Sequence, residues 1–325
     1  MDEGKLFRKL RKDRGLSLEQ VSDELNSVSF ISKFETGNSN ISLNRMERLL
    51  ENVNVSMEEF LYLRDLEKNP ELNSELGAMI SYLSGDFYYY TAKIFTIVSE
   101  VEEIGYQKSL ERFELIKDEL NPKINWQRFL SLYCEMSIII TKTNLTRDDN
   151  RTLEKVMDEI RLISKPVVSY LYKVEDWGVF EIILFKIFLI TFKVEQINQL
   201  LPVAISRTKK ESQFHQMKYA KLEIIFSSFS YFVNFRHEKW SKNSLVIARE
   251  LLKDEKDLLN STLLLFYEGW HTLIFEDLEK GSQSCYQALS IFKILDQPKM
   301  EKKFRGILKI ILRNQKDPNS SAVFL

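Results

Sequence analysis

Residues 15–37 read GLSLEQVSDELNSVSFISKFETG, and this stretch contains the clearest local signals in the chain. Gly15 and Gly37 stand where helices are expected to end, because glycine adopts the left-handed conformation without steric cost. Ser17 is followed three residues later by a glutamine, which is the capping-box spacing that begins a helix. Ser27 precedes an apolar run and predicts the cap of a further short helix. We therefore expect two short helices joined by a tight turn.

The second of these helices presents small, hydrogen-bonding side chains on one face. Ile31 and Phe34 are three residues apart and are expected to point into a core. The residues on or near the open face are then Val28, Ser29, Ser32 and Lys33. Such a helix after a tight turn fits the major groove of DNA. The stretch is a helix-turn-helix candidate, although a small helical bundle can use the same pattern for packing alone.

Basic side chains are concentrated in one part of this segment. Residues 1–66 contain 10 basic and 12 acidic side chains, yet six of the basic ones lie within residues 5–14. Phosphates are therefore expected to meet a local basic stripe that includes Arg8 and Lys12. A single copy of the chain should bind DNA weakly.

The run from Leu10 to Leu50 resembles the Xre/Cro-type helix-turn-helix domain, since its I-S-K-F-E-x-G motif and the V-S-M-E-E-F segment that follows fall in register. The resemblance implies a five-helix domain over residues 1–66 that binds double-stranded DNA. It also implies that Arg11 pairs with Glu35. The residues expected at the DNA are Arg8, Arg11, Lys12, Ser17, Ser27, Val28, Ser29, Ser32, Lys33, Asn38 and Asn40.

The remainder of the chain has the composition of a helical protein. Only 10 Gly and 6 Pro occur in 325 residues, and no segment shows sustained period-two alternation. We predict an all-α protein in which residues 67–315 form a tetratricopeptide-like superhelix of stacked helix pairs and 316–325 form a C-terminal tail. Gly281, Ala288 and Phe292 have the spacing typical of such a repeat. The concave face of a superhelix suits an extended peptide.

Two further stretches resemble the Rgg/MutR regulators of low-GC Gram-positive bacteria. They are the W-G run VEDWGVFEIILF at Val174–Phe185 and the closing repeat LLLFYEGWHTLIFEDLEKGSQSCYQALSIFKIL at 263–295. The resemblance implies a cytoplasmic quorum-sensing regulator whose DNA binding is controlled by a short signalling peptide held in the repeat domain. The alternative is a helical-repeat protein that binds other proteins, without peptide-controlled DNA binding.

One helix of the repeat region carries a polar strip among apolar residues. In Leu222–Asn234 the polar side chains recur at positions i, i+3, i+4 and i+7, so that they line either a peptide groove or bulk solvent. Tyr267 and Trp270 add aromatic walls to the groove or belong to the core, and Lys186 stands where relatives often carry an asparagine. The expected peptide contacts are Lys186, Ser227, Ser230, Tyr231, Asn234, Tyr267 and Trp270.

Several functional classes are disfavoured by the sequence. Cys134 and Cys285 lie far apart without C-x-x-C partners, which is typical of reduced cysteines in the core of a cytosolic protein. The charged N-terminus does not look like a secretory signal. The apolar run Val179–Phe192 is interrupted by charges and is shorter than the ~20 residues that span a bilayer, so a buried helix and no membrane partner are expected.

Catalysis is not indicated either. The three histidines are scattered, and neither a phosphate-binding G-x-x-x-x-G-K-[ST] loop nor a G-x-S-x-G elbow occurs in the sequence. We therefore expect no enzyme activity, metal or cofactor.

The last helical pattern bears on oligomeric state. Between Phe304 and Leu312 apolar residues surround much of the helix, which indicates either a homodimer contact within 285–315 or an intramolecular cap. A homodimer is expected, since one helix-turn-helix module reads few base pairs.

Overall fold

The computed structural model describes residues 2–68, 85–146, 153–207, 215–253 and 256–316. The chain divides into two compact units, Met1–Thr146 and Arg147–Leu325. Every regular element in the described ranges is helical, which confirms the all-α prediction. The predicted domain boundary at residue 66 falls inside the first unit and stays a prediction. All but the first residue of the predicted tail lies outside the described residues.

Four helices occupy residues 2–68. They are α1 (Glu3–Asp13), α2 (Val28–Glu35), α3 (Leu43–Asn52) and α4 (Met57–Lys68). Gly15 and Gly37 follow α1 and α2 with φ of 68° and 76°, so both glycines take the left-handed conformation expected at helix ends. The Ser27 side chain accepts from the backbone N–H of Phe30 and caps α2, as predicted.

The five-helix prediction is wrong over these residues, because the segment between Ser17 and Asn26 contains turns and no helix. The expected capping box does form, since Ser17 N donates to Gln20 Oε1 at 2.7 Å and Gln20 N donates to Ser17 Oγ at 3.3 Å. The chain then turns, because Asp23 Oδ1 accepts from the backbone N–H groups two and three residues later, at 2.9 and 2.8 Å. These side-chain bonds compete with continued helix.

The four helices share one core. Its buried members are Leu6, Phe7, Leu10, Val21, Ile31, Phe34, Met46, Leu49, Leu50, Val53, Val55 and Phe60. At one point the backbones themselves meet, because a Cβ added to Gly4 would lie 1.9 Å from the carbonyl oxygen of Phe34. The start of α1 is thus packed directly on the end of α2.

The first unit continues with helices that carry a buried cysteine. They are α5 (Asp86–Ser99), α6 (Val101–Ile104), α7 (Tyr106–Glu119) and α8 (Asn125–Thr146). Cys134 of α8 is free and buried, and burial raises the pKa of its thiol to about 12. Burial has the same effect on Cys285 of the second unit, whose pKa also rises to about 12.

The second unit is a series of packed helices. They are α9 (Leu153–Lys173), α10 (Val179–Ile187), the 3₁₀ turn Leu189–Thr191, α11 (Val194–Arg207), α12 (His215–Asn234), α13 (Glu238–Leu252), α14 (Leu258–Phe275), α15 (Leu278–Ile294) and α16 (Pro298–Lys316). The main contacts join sequential neighbours, α12 with α13 and α14 with α15, which agrees with the prediction of helix pairs. The Val179–Phe192 run is largely buried, as expected. In the described ranges no helix is long and apolar enough to cross a membrane.

The apolar face of α16 is covered from within the chain. Phe304, Ile307, Leu308 and Ile311 are buried. The Phe304 ring lies 4.9 Å from Phe266 of α14 and 5.7 Å from Phe292 of α15, measured between centroids. An intramolecular cap therefore accounts for the apolar pattern, which no longer supports a dimer contact at 285–315.

Two glycines let α14 and α15 approach at backbone distance. A Cβ added to Gly281 would lie 2.2 Å from the backbone nitrogen of Leu273, and one added to Gly269 would lie 2.8 Å from that of Cys285. Backbone atoms cannot yield as the end of a flexible side chain can. The crossing therefore requires glycine at both positions.

Gly281→Ala should destabilise the second unit by about 2 kcal/mol or more, because overpacking against backbone forces the helices apart. Gly306→Ala in α16 is the matched control, since a Cβ there would meet nothing within 4 Å. The control should gain about 0.5–1 kcal/mol from higher helix propensity. Urea unfolding followed by tryptophan fluorescence measures both, and equal midpoints for the two variants would contradict the assignment.

Candidate nucleic-acid interface and helical-repeat cleft

The exposed face of α2 has the composition expected of a recognition helix. Ser29, Ser32 and Lys33 are exposed, whereas Ile31 and Phe34 are buried in the core. Val28 is half-buried at the start of the helix. The predicted division of this helix into a core face and an open face is therefore confirmed. Two hydroxyls and an ammonium group are positioned to donate to base edges or phosphates.

Arg11 lies inside the domain and not at its surface. Its Nε and Nη2 donate to the two Glu35 carboxylate oxygens at 2.6 and 2.8 Å, and Nη1 donates to the Leu16 carbonyl at 2.6 Å. The hydrogen bond with Glu35 raises the pKa of the Arg11 guanidinium, against the effect of burial. The predicted Arg11–Glu35 pair is confirmed. The expectation that Arg11 contacts DNA is wrong, because only 8% of its side chain is exposed.

The other residues expected at the phosphates are accessible. The exposed ones are Arg8, Lys12, Ser17, Ser27, Asn38 and Asn40. Three of them already make local hydrogen bonds: the Ser17 hydroxyl accepts from Gln20 N, the Ser27 hydroxyl accepts from Phe30 N, and Asn38 Nδ2 donates to Thr36 Oγ1 at 3.0 Å. Arg8 Nε lies 3.9 Å from Glu35 Oε2. Their contacts with DNA stay predictions.

In the second unit, residues of the W-G run pack in the core and hold the start of α10 in place. Trp177 is buried, and its ring lies 5.9 Å from that of Phe185. Glu181 accepts from the backbone N–H of Gly178 at 2.8 Å and from the Tyr170 hydroxyl at 2.6 Å. Burial, reinforced by the bond to Glu181, raises the pKa of Tyr170. One carboxylate thus caps α10 and ties it to α9.

Most of the polar strip of α12 is buried. Ser227, Ser230 and Tyr231 are buried. Ser230 Oγ donates to the Ser227 carbonyl at 2.7 Å, and Asn234 Nδ2 donates to the Ser230 carbonyl at 2.6 Å. Because these bonds are made within the helix, the Ser230 hydroxyl and the Asn234 amide can pack among apolar neighbours. The expectation of an accessible strip is wrong for the three buried residues.

The remaining predicted peptide contacts are also engaged elsewhere. Tyr267 and Trp270 belong to the core, with Trp270 1% exposed and packed on Phe229 at 5.5 Å between centroids. This burial agrees with core packing, the alternative left open by the sequence. Lys186 is half-buried and forms an ion pair with Glu223.

A cleft of about 290 Å³ opens elsewhere on the second unit, between α11 and α13 and above Phe232 of α12. Its lining consists of Asn198, Leu201, Pro202, Phe232, Trp240, Asn243, Ser244, Val246 and Ile247, and none of these side chains is charged. The amides of Asn198 and Asn243 make no side-chain hydrogen bond within the described part of the chain. Sequence reasoning missed this cleft, because three helices contribute to it and no local motif marks it.

Two family models match the chain. The model described as "HTH-type transcriptional regulator Rgg, C-terminal domain" matches residues 103–306, and a helix-turn-helix model matches residues 7–60. The chain belongs to the Rgg family of HTH-type transcriptional regulators. The resemblance inferred from the W-G run and the closing repeat is confirmed.

Several solved structures share the fold of this chain at low sequence identity. The pheromone receptor Rgg2 of Streptococcus dysgalactiae is 20% identical, with a TM-score of 0.66 over 94% of this chain and 98% of Rgg2. A putative transcriptional regulator from Listeria monocytogenes EGD-e is 18% identical, with a TM-score of 0.74 over 97% of this chain and 98% of that one. PrgX in its complex with cCF10 is 13% identical, with a TM-score of 0.60 over 95% of this chain and 99% of PrgX.

Glu35→Ala should destabilise the helix-turn-helix segment of this Rgg-family chain by about 3 kcal/mol or more. The substitution leaves the Arg11 guanidinium buried without a carboxylate partner. Glu47→Ala on α3 is the control, since Glu47 is exposed, and it should change stability by less than about 0.5 kcal/mol. Hydrogen exchange of the amides in α1 and α2 reports this locally. Equal protection in Glu35→Ala and Glu47→Ala would refute the role of the pair.

Lys33→Ala should weaken operator binding by about 1–3 kcal/mol if the ammonium group reads a base, and should relax specificity at that base pair. Lys12→Ala serves as the comparison, because a phosphate contact weakens specific and random DNA alike. Fluorescence anisotropy with the operator and a random duplex measures both. Unchanged operator affinity in Lys33→Ala excludes it from the recognition face.

Proposed function

We propose that this chain regulates transcription as a cytoplasmic homodimer that binds operator DNA through α2, and that a short signalling peptide bound by the second unit controls this binding. The observation that carries the proposal is the exposed Ser29, Ser32 and Lys33 face on a helix whose end is fixed by the Arg11–Glu35 pair. No catalytic step is part of the proposal.

DNA binding needs a recognition helix that keeps its orientation. The α2 helix has eight residues, and an isolated helix of that length is marginal in water. The shared core, the Ser27 cap and the buried ion pair supply the rigidity that the helix lacks by itself. The exposed face is therefore presented to a groove at little further entropic cost.

Two copies are proposed because one module carries little charge. With 10 basic and 12 acidic side chains in residues 1–66, the phosphate attraction comes from a local stripe. Two linked modules separated by about one helical turn read a longer symmetric site, and the second binds at high effective concentration.

Peptide control is supported by relatives and by the cleft. Rgg2 is described as a pheromone receptor, and PrgX has been solved in complex with cCF10. In this chain the cleft beside Trp240 combines an uncharged, largely apolar lining with the amides of Asn198 and Asn243, which have no side-chain hydrogen bond to any described residue. An amide both donates and accepts, so two of them suit the backbone of an extended, apolar peptide.

The peptide and operator DNA can influence each other's binding only if each binds the arrangements of the dimer with different affinities. A peptide changes operator binding only if it binds one arrangement of the dimer better than another. By the same reciprocity, operator DNA should alter the affinity for the peptide.

The test uses fluorescent synthetic peptides with the apolar sequences that small open reading frames beside the gene encode. These peptides are titrated onto the full chain. Substituting alanine for both Asn198 and Asn243 should weaken peptide binding about tenfold or more, because two hydrogen bonds at about 1 kcal/mol each are lost. Gln199→Ala, an exposed residue of α11 outside the cleft, should bind the peptide normally.

The controls separate the parts of the proposal. All variants should bind the promoter fragment alike without peptide, and sedimentation equilibrium should give about twice the 38.5 kDa chain mass. A clean monomer argues against the dimer. If peptide binds the double variant as tightly as the unsubstituted chain, the cleft is not the site. A promoter interaction without steep salt dependence favours the protein-interaction alternative.

A further inference from the structure

Arg45, near the start of α3, is held against the recognition helix. Its guanidinium carbon lies 4.4 Å from the centroid of the Phe30 ring, which belongs to α2. We propose that Arg45 is a DNA phosphate contact at the edge of the recognition face. The inference rests on the proposed binding of DNA through α2. Arg45 lies outside the basic stripe of residues 5–14, so the charge pattern of the sequence does not predict this contact.

The position of Phe30 places Arg45 at that edge. Successive helical residues are about 100° apart, so Phe30 neighbours Lys33 around the helix. Lys33 is exposed and Phe30 is half-buried, at the border between the open face and the core. A cation stacked on the Phe30 ring therefore flanks the face that enters the groove, where the phosphates of a duplex run.

The backbone beneath Arg45 is also tied to the start of α2. Asn26 is buried, and its Nδ2 donates to the Arg45 carbonyl at 3.2 Å. Asn26 immediately precedes the Ser27 cap of α2. The first turn of α3 is thus linked by a side-chain hydrogen bond to the residue that precedes the cap of α2, so that Arg45 keeps its place relative to this helix.

Arg45 differs from two nearby arginines, whose guanidinium groups are paired with carboxylates. Arg48 lies 3.7 Å from Asp23 and 2.9 Å from Glu51, and Arg64 lies 3.1 Å from Glu3. Within the described residues no carboxylate lies within ion-pair distance of Arg45. The guanidinium is therefore a net positive charge in a fixed place.

The ligand that this arrangement suits is a phosphodiester oxygen of duplex DNA. Contact with the Phe30 ring is made through the guanidinium carbon and does not use up the N–H groups, which can donate to a phosphate oxygen. Because the side chain is already ordered by Phe30, little rotamer entropy is lost when it binds.

Salt dependence of binding to a random-sequence duplex tests the contact, because each neutralised phosphate contributes about one unit to the slope of log affinity against log salt. Arg45→Ala should reduce the slope by about one and weaken operator and random duplex by the same factor. Arg48→Ala is the matched control from the same helix and should leave the slope unchanged, since Asp23 and Glu51 already neutralise that charge.

Two further variants address the side chain itself. Arg45→Gln keeps a planar polar group over the ring without the charge, and it should lose the same slope as Arg45→Ala. Arg45→Lys keeps the charge, so it should retain the slope but bind several-fold more weakly, because a flexible ammonium is not pre-organised by stacking. Circular dichroism checks that each variant is folded.

Each outcome bears on a stated claim. A slope in Arg45→Ala or Arg45→Gln equal to that of the unsubstituted chain overturns the contact while DNA binding stands. Equal losses in Arg45→Ala and Arg48→Ala also overturn it, because the effect is then that of general charge. If the unsubstituted chain shows no salt-dependent binding, the proposed function fails and this contact fails with it.

Discussion

The buried ion pair between Arg11 and Glu35 is the interaction on which the helix-turn-helix segment depends. Three guanidinium nitrogens are used at once, two on the carboxylate of α2 and one on the Leu16 carbonyl in the turn after α1. The pair therefore joins α1, the turn and the end of α2. With the Gly4 contact against the Phe34 carbonyl, it fixes α2, a helix that is too short to be stable alone.

The second unit is ordered by close contact rather than by charge. Gly269 and Gly281 bring the backbones of α14 and α15 together, and α16 then covers the aromatic surface around Phe266 and Phe292. Such packing closes the end of a helical stack without a second chain. The cleft between α11 and α13 remains open beside this tightly packed region.

How far the sequence could predict these features depends on the range of the interactions involved. The ends of α1 and α2 were predictable, because Gly15, Ser27 and Gly37 act on their own backbone. The helix expected after Ser17 was not formed, since Asp23 captures two backbone donors that the helix would have used. No pattern distinguishes these two outcomes before the local bonds are known.

Prediction of the candidate sites failed where the contacts join residues that are distant in the sequence. Helical periodicity placed Ser29, Ser32 and Lys33 correctly on one face of α2, but it could not tell that the polar strip of α12 faces the interior. Arg11 was expected both to pair with Glu35 and to contact DNA, but the sequence did not show that the pair is buried, which leaves only 8% of the Arg11 side chain exposed. The cleft and the Arg45 stack arise where separate helices meet, so neither has a signature in consecutive residues.

The two cysteines have a consequence for how the chain responds to its surroundings. Peroxide attacks the thiolate, and at neutral pH a thiol with a pKa of about 12 is almost wholly protonated, which holds for both Cys134 and Cys285. Burial also keeps oxidants away from both sulfurs. Neither thiol is therefore a ready target for oxidation while its unit is folded.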